Sequence, residues 1–183
     1  MKVIHLLSGG LDSVTMLYEL NENHKKIHAL LINYNQKHQK ELYYAKQHCE
    51  NLEIDYTEME IPALNGLTEG KWIVPNRNAI FISLAVNVAA QMGYDTITIG
   101  CNADDNESFP DCRAEFIDSM NEAIKSSGYK IIVCAPYLTS KKSEIMKAAK
   151  RHGLTKKDIW TCYRGEQKPC GKCPACKKLN AIK

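Results

Sequence analysis

The sequence predicts an α/β fold, a Rossmann-like parallel sheet with helices on both faces, closed by a small metal-binding segment. Three observations carry that prediction. Short apolar runs alternate with segments of helical periodicity over residues 2–152, the signature of βαβ units and a parallel sheet. A glycine-serine turn, Ser8-Gly9-Gly10-Leu11-Asp12-Ser13, joins the first apolar run to the first helical segment. Four of the eight cysteines crowd into the last 22 residues.

The elements follow in order. Lys2–Leu7 is an apolar run stopped by glycines and reads as a buried strand. In Ser13–Glu22, Val14, Leu17 and Tyr18 fall at helical spacing. Ile27–Asn33 is a second strand. Gln39–Leu52 is a helix with Leu42, Ala45 and Cys49 on one face, and Ile54–Glu60 a third strand with alternating polar positions. A loop with breakers at Pro62, Gly66, Gly70 and Pro75 follows. Arg77–Met92 is an alanine-rich buried helix, Thr96–Gly100 a strand, Asp111–Ser126 a helix and Ile131–Cys134 a strand. Ser143–His152 is a helix with Gly153 as its C-terminal stop. In such sheets ligands bind beyond the carboxyl ends of the strands.

Length and charge set the outer limits. The 183 residues suit one domain with a sizeable core. No apolar run approaches a membrane span of ~18 residues, and the N-terminal apolar run is too short for a signal peptide. A reducing, cytoplasmic location is expected, which makes a disulfide framework an unlikely use for eight cysteines. The net charge of +3 is divided unevenly. Residues 141–183 hold 13 Lys and Arg against 3 Asp and Glu, a balance of +10, and the rest of the chain carries −7. A basic tail suits an anionic partner such as nucleic acid, or a solvated lysine face beside metal-bound thiolates.

The glycine-serine turn is the strongest chemical signal. Adjacent glycines let the backbone approach a ligand, and the turn feeds a helix N-terminus, where free N–H groups and the helix dipole favour an anion. Ser8 and Ser13 add hydroxyls, and Asp12 is placed to help hold Mg²⁺. There is no Gly-Lys-Ser/Thr of a Walker A loop. The segment Leu7, Ser8, Gly9, Gly10, Leu11, Asp12, Ser13 resembles the SGGxDS pyrophosphate loop of the PP-loop ATP pyrophosphatases. That resemblance implies ATP binding by these seven residues and cleavage of ATP between its α and β phosphates.

Cys162, Cys170, Cys173 and Cys176 are spaced C-x7-C-x2-C-x2-C. Four thiolates within 15 residues can close a tetrahedron around one Zn²⁺ and clamp a segment that has no core of its own. An iron–sulfur cluster is the competing occupant. The boundary is placed at 158/159, with a PP-loop domain over 1–158 and a cysteine segment over 159–183 packed on it.

Six blocks, in order, resemble the 7-cyano-7-deazaguanine synthase family. They are the phosphate loop; Tyr34-Asn35-Gln36-Lys37-His38 with Glu41; and Val74-Pro75-Asn76-Arg77-Asn78 with Phe81. Gly100, Asp104 and Phe109-Pro110-Asp111-Cys112-Arg113 come next, then Pro136 with Lys141 and Glu144, and last the cysteine segment. Asn35 and Asn76 stand where the family has glycine, so left-handed Asn turns are expected there. Phe109 replaces a tyrosine. The loops before Pro75 and between Asp104 and Phe109 read as trimmed.

Within these blocks Asp12, Lys141 and Arg113 are the catalytic candidates, and Arg77, Asn78, Asp111 and Arg113 the substrate-binding ones. Arg77 and Arg113 offer planar donors for carboxylate or phosphate, or pair at the surface. Asn78 and Asp111 can each contact a purine-like edge or cap a helix. Lys141 stands at a strand end beside Lys142, ready to neutralise phosphate or to stay solvated. His38 can shuttle protons. Cys101 and Cys112 read as small apolar fillers, and Trp72 and Trp160 as packing residues or base-stacking ones. The resemblance implies an AMP-forming carbon–nitrogen ligase. It would use ATP, Mg²⁺ and ammonia to turn 7-carboxy-7-deazaguanine into 7-cyano-7-deazaguanine, through adenylated carboxylate and amide. It also implies a homodimer and no membrane or nucleic-acid partner. The alternatives are an enzyme that stops at 7-amido-7-deazaguanine and a nucleic-acid thiolating relative.

Overall fold

A computed structural model describes residues 1–23, 25–64 and 74–182; Gly66, Gly70 and Trp72, and part of the loop before Pro75, lie outside the described residues. Five parallel strands form one sheet: β1 Lys2–Leu6, β2 Lys26–Asn33, β3 Tyr56–Glu60, β4 Thr96–Thr98 and β5 Ile132–Cys134. Their spatial order is β3-β2-β1-β4-β5. β1 is central, with Leu6 opposite Leu30 of β2 and His5 opposite both Ala29 of β2 and Thr98 of β4. The chain therefore winds outward from β1 one way through β2 and β3, then the other way through β4 and β5. The reversal lies between β1 and β4, where the carboxyl ends of such sheets open a crevice.

Alternation along the strands divides the core into two apolar clusters. Ile4, Leu6, Leu30, Ile32 and Ile97 face α3 (Arg77–Met92) and α4 (Ala114–Ser126), and meet Ile82, Ala85, Ala89, Ile117 and Ile124. Ala29 and Leu31 face the other layer, formed by α1 (Leu11–Glu22), α2 (Lys40–Asn51) and α5 (Lys142–Arg151). Val14, Leu17, Leu42, Ala45, Ile145 and Met146 fill that side. Every strand and every helix expected over residues 2–152 is present.

Three differences have physical causes. α4 starts at Ala114, not Asp111, because Pro110–Cys112 turns as a 3₁₀ helix first. There the Asp111 side chain bends back to the Asn78 N–H at 3.4 Å. A sixth helix, α6 (Pro174–Ala181), lies inside the cysteine segment, for which no helix was expected. Pro174 pre-sets its first turn, and the Cys173 thiolate position accepts from the Cys176 N–H at 3.5 Å. Asn35 and Asn76 adopt φ of 56° and 55°, the left-handed conformation their glycine counterparts allow.

Candidate active site

β1 ends at Leu6, and α1 starts at Leu11 with no side chain capping it. The loop between is tied to itself. Ser8 N donates to Ser13 Oγ (3.2 Å), the two serine hydroxyls lie 3.0 Å apart, and Gly10 N donates to Ser8 Oγ (3.3 Å). Gly9 sits at φ 87°, and a Cβ there would lie 2.0 Å from the Glu41 carbonyl oxygen. Glycine is thus required at 9 by the close approach of α2. Beneath the loop, buried His5 is pushed down to about 4 by its burial and stays neutral. Its Nε2 meets the Ser13 carbonyl at 2.8 Å, an acceptor only, so Nε2 carries the proton and Nδ1 accepts from the Thr98 hydroxyl at 2.8 Å. One imidazole thereby fixes α1 to both central strands.

The loop opens on a cavity of about 1330 Å³ beyond the carboxyl ends of the strands. Leu7, Ser8, Gly10, Leu11, Asp12 and Ser13 line it. Asp12 is half-buried with its carboxylate turned inward, and burial of that group raises it to about 6, against the lowering pull of Lys142. Its Oδ2 accepts from Asn102 Nδ2 at 2.7 Å, and its Oδ1 has no partner. An orphaned, buried carboxylate oxygen beside the glycine-serine turn fits a hard cation such as Mg²⁺. The same Asn102 nitrogen reaches Asp105 Oδ2 at 2.8 Å, and Lys142 pairs with that oxygen at 2.9 Å. Burial pulls Lys142 down, but Asp12 and Asp105 outweigh it and hold the ammonium charged.

Lys142, not Lys141, therefore brings positive charge into the cavity. Lys141 is the exposed N-cap of α5, its N–H taken by Glu144 Oε2 at 2.7 Å, and does not line the cavity. The helix begins one residue later, and its first turn aims Lys142 inward. Arg113 also stays out: it is exposed, and its Nε donates to the Asn106 carbonyl at 2.8 Å. Asp104, at the surface side of the same loop, accepts from the Lys142 N–H at 2.8 Å.

Arg77, Asn78 and Asp111 meet on the opposite wall. Arg77 is held by the Tyr34 hydroxyl (3.3 Å) and lies over the Phe81 ring. Burial works against its charge, but Tyr34, Glu41 and Asp111 more than offset that. Asn78 is buried, with Nδ2 on the Asp111 carbonyl (3.1 Å) and near Cys112 Sγ (3.6 Å). Cys101 and Cys112 both line the cavity. Cys112 is drawn down by a hydrogen bond from Cys101, which that same bond and burial push up.

Glu41 and Gln36 belong to the same wall, although only their motif pointed to them. Gln36 Nε2 donates to Glu41 Oε1 at 3.0 Å, and His38 Nε2 lies 3.4 Å from it. Burial raises Glu41 to about 8, and burial, then Arg77, lowers His38 to about 4. At neutral pH the pair is a protonated acid beside a neutral imidazole. Asn102, Asp105 and Lys142 were likewise not foreseen as a unit; they are adjacent only because the loop after β4 packs against the start of α5.

The cysteine segment forms a third wall. The four Sγ atoms of Cys162, Cys170, Cys173 and Cys176 lie within 4.8 Å of one another. Cys162, Cys173 and Cys176 are buried. Backbone N–H groups of Lys172 (3.5 Å) and Cys173 (3.4 Å) point at Cys170 Sγ and lower its thiol to about 6. Convergent sulfurs supported by N–H donors are the donor set of a tetrahedral thiolate site. Trp160 is buried, its indole N–H on the Cys162 carbonyl (3.0 Å) and its backbone N–H on the Gly9 carbonyl (2.9 Å). It is a packing residue that joins this segment to the phosphate loop. Gly165, at φ 66°, meets the Lys37 carbonyl so closely that a Cβ would sit 1.7 Å away. Tyr163, Ala175 and Leu179 reach the cavity from this segment.

Comparison with known proteins agrees with this geometry. The chain is 37% identical to the 7-cyano-7-deazaguanine synthase of Hahella chejuensis, over 96% of this chain and 85% of that protein. It is 34% identical to 7-cyano-7-deazaguanine synthase 1 of Colwellia psychrerythraea, over 97% and 91%. Its fold matches the NMN synthetase of Francisella tularensis with a TM-score of 0.64 at 18% identity, over 93% of this chain and 70% of that one. The profile of the queuosine biosynthesis protein QueC matches residues 2–181, and the chain belongs to that family.

Proposed function

We propose that this chain is the AMP-forming ligase that converts 7-carboxy-7-deazaguanine and ammonia to 7-cyano-7-deazaguanine. One observation carries the reading: a phosphate loop with a buried, half-satisfied Asp12 shares a single cavity with the Arg77–Glu41 wall. That cavity is large enough for a nucleotide beside a flat bicyclic acid. Its apolar lining, with Phe81, Phe109 and Phe116, suits the faces of a heterocycle.

The chemistry sets what the residues must do. A carboxylate oxygen, and later an amide oxygen, leaves poorly, so each first attacks the α-phosphate of ATP, an O–P bond forming as the bond to pyrophosphate breaks, and then departs as part of AMP. The α1 N-terminus and the hydroxyls of Ser8 and Ser13 receive the departing pyrophosphate. Asp12 Oδ1 would hold Mg²⁺, which supplies charge neutralisation to the phosphates when bound. Lys142 adds a fixed positive charge on the same side, the part first assigned to Lys141. Arg77 faces the substrate carboxylate, and Asp111 with Asn78 frames the heterocycle edge. Arg113 is left outside direct contact. Neutral His38 is positioned to take the proton released as ammonia attacks. The four cysteines would hold Zn²⁺ as a structural ion. A homodimer and a cytoplasmic location belong to the same proposal; among the described residues no helix is long and apolar enough to cross a membrane.

Mass spectrometry of the product from 7-carboxy-7-deazaguanine, ATP and ammonia tests it. The nitrile with two AMP per turnover is expected. An amide with one AMP identifies the shorter reaction, and absence of AMP rejects both.

A further inference from the structure

The turn after β2 builds a polar cluster on the cavity wall that binding of phosphates does not use. Gln36 Oε1 accepts from the Tyr34 N–H at 2.9 Å. Its Nε2 donates to the Ile32 carbonyl at 3.4 Å and to Glu41 Oε1 at 3.0 Å. Turning that amide over would spoil all three contacts, so its orientation is fixed. Gln36 is buried, and it ties Glu41, in the first turn of α2, to the end of β2. His38 Nε2 lies 3.4 Å from the same Glu41 oxygen. Among the described residues, Glu41 Oε2 and His38 Nδ1 meet no hydrogen-bond partner. Gln36, His38 and Glu41 all line the cavity.

The cluster offers proton acceptors beside a fixed positive charge. A neutral imidazole always keeps one ring nitrogen as an acceptor. Burial raises Glu41 to about 8, in the range where a base both takes up and releases a proton near neutrality. Arg77 stands close by. Its Nη1 is 3.3 Å from the Tyr34 hydroxyl, and the Tyr34 ring meets the His38 ring edge-on, with centroids 6.4 Å apart. The Tyr163 ring lies 5.9 Å from that of His38. Arg77 keeps its charge, which disfavours a second cation and admits a neutral molecule. The ligand that suits this pair is a small, neutral N–H donor. Ammonia is such a donor, and its lone pair stays free to attack.

We propose that Glu41 and His38, oriented by Gln36, form the ammonia subsite and take the protons of that one nitrogen in both halves of the reaction. The subsite rests on the ligase reading above, in which Arg77 holds the carboxylate and so brings the carbon to be attacked next to the pair. In the first half the ammonia lone pair forms the C–N bond, the C–O bond to AMP breaks, and one N–H proton passes to the pair. The amide is left. In the second half the amide oxygen attacks the α-phosphate of another ATP, pyrophosphate leaves, and a second nitrogen proton is taken. The third proton follows as the C–O bond breaks, AMP departs and the C≡N bond is completed. Three protons thus leave a nitrogen that need not move. His38 is half-buried, which gives each proton a way out to solvent before the next arrives.

Three rates measured on the full chain test it. Exchange of labelled pyrophosphate into ATP, with 7-carboxy-7-deazaguanine and no ammonia, reports adenylation alone. Amide and nitrile formed once ammonia is added report the first half. Nitrile formed from 7-amido-7-deazaguanine and ATP without ammonia reports the second. In Glu41→Gln both later rates are expected to fall at least ~10-fold further than the exchange, since a general base contributes ~100-fold or more. KM for ammonia should rise by a larger factor than KM for ATP. His38→Gln, at a half-buried position, carries the same expectation should Glu41→Gln fold poorly. A merely structural role lowers all three rates together. Either later rate keeping its wild-type ratio to the exchange in both variants overturns the proposal and leaves the ligase reading intact. A wild type with neither exchange nor AMP rejects the ligase reading, and the subsite with it.

Discussion

The glycine-serine turn and the cysteine segment are both close-packed, but by different means. The loop is held from below by a sheet core, by neutral His5 and by the approach of α2 to Gly9. The cysteine segment has a small apolar cluster of its own, centred on Trp160 and three of the cysteines. Its order depends on convergent sulfurs and on contacts with Lys37, with Lys40 and Tyr44 of α2, and with Asp105. One region owes its shape to burial of apolar surface; the other rests on four convergent sulfurs and on a neighbour. A site built from both inherits two independent modes of failure.

Four experiments would break or sharpen that comparison. The largest effect is expected from Asp12→Asn. AMP formation should fall at least ~100-fold, on the scale of losing a fixed electrostatic contact in an enzyme site. The thermal midpoint should hold or rise, because a buried carboxylate is relieved. A lower midpoint would show that Asp12 is structural.

Next comes removal of the cysteine site, by chelation or by Cys176→Ser. Hydrogen exchange should accelerate across residues 160–182 while β1, β2 and β4 stay protected. Activity should drop roughly 10-fold or more as Tyr163, Ala175 and Leu179 leave the cavity wall. Equal loss of protection in the central strands would mean that the segment is part of the main core.

Gly9→Ala and Gly165→Ala form a third, paired test. Each Cβ would strike a backbone carbonyl, so neither neighbour can yield cheaply. Gly9→Ala should lower global stability by ~2 kcal/mol or more. Gly165→Ala should leave global unfolding nearly unchanged and loosen only the cysteine segment. Urea unfolding read by the circular dichroism of the helices separates the two.

The smallest effect concerns pH. Glu41 is raised to about 8 by burial, so its protonated form stabilises the fold. That stabilisation is complete below the ordinary carboxylate range and is lost as pH rises through 8. Glu41→Gln keeps the shape without the titration. The variant should gain on wild type by about 1 kcal/mol between pH 7 and 8, measured as the difference in unfolding free energy. Parallel pH profiles would place the titrating proton on another group.

What the chain reveals before folding follows the same division. The alternation of apolar runs and helical faces is local, and so β1 to β5 and α1 to α5 were legible within a few residues. Gly9 and the four cysteines were legible because only one residue type serves at each place. Lys142 was hidden beside Lys141, since a one-residue shift in where a helix starts decides which lysine turns inward. Asn102 and Asp105 gave no signal because their meaning lies in contacts 90 and 73 residues away, with Asp12 and Lys178. Glu41 was visible as part of a motif, but its proton was not, because burial is a property of the packed wall. Helix α6 was not foreseen, since metal-ligand spacing dominated a segment whose Pro174 also marks a helix start.

The hydrogen bond from the Trp160 N–H to the Gly9 carbonyl has a consequence for how the protein comes to be made. Gly9 precedes Trp160 by most of the chain's length. During synthesis the glycine-serine turn is therefore complete long before the segment that packs against it. The site matures in two stages, and the second waits for the cysteine segment to dock. A chain that had folded its sheet alone would be compact and well formed, and would still lack the wall that Tyr163, Ala175 and Leu179 give the cavity.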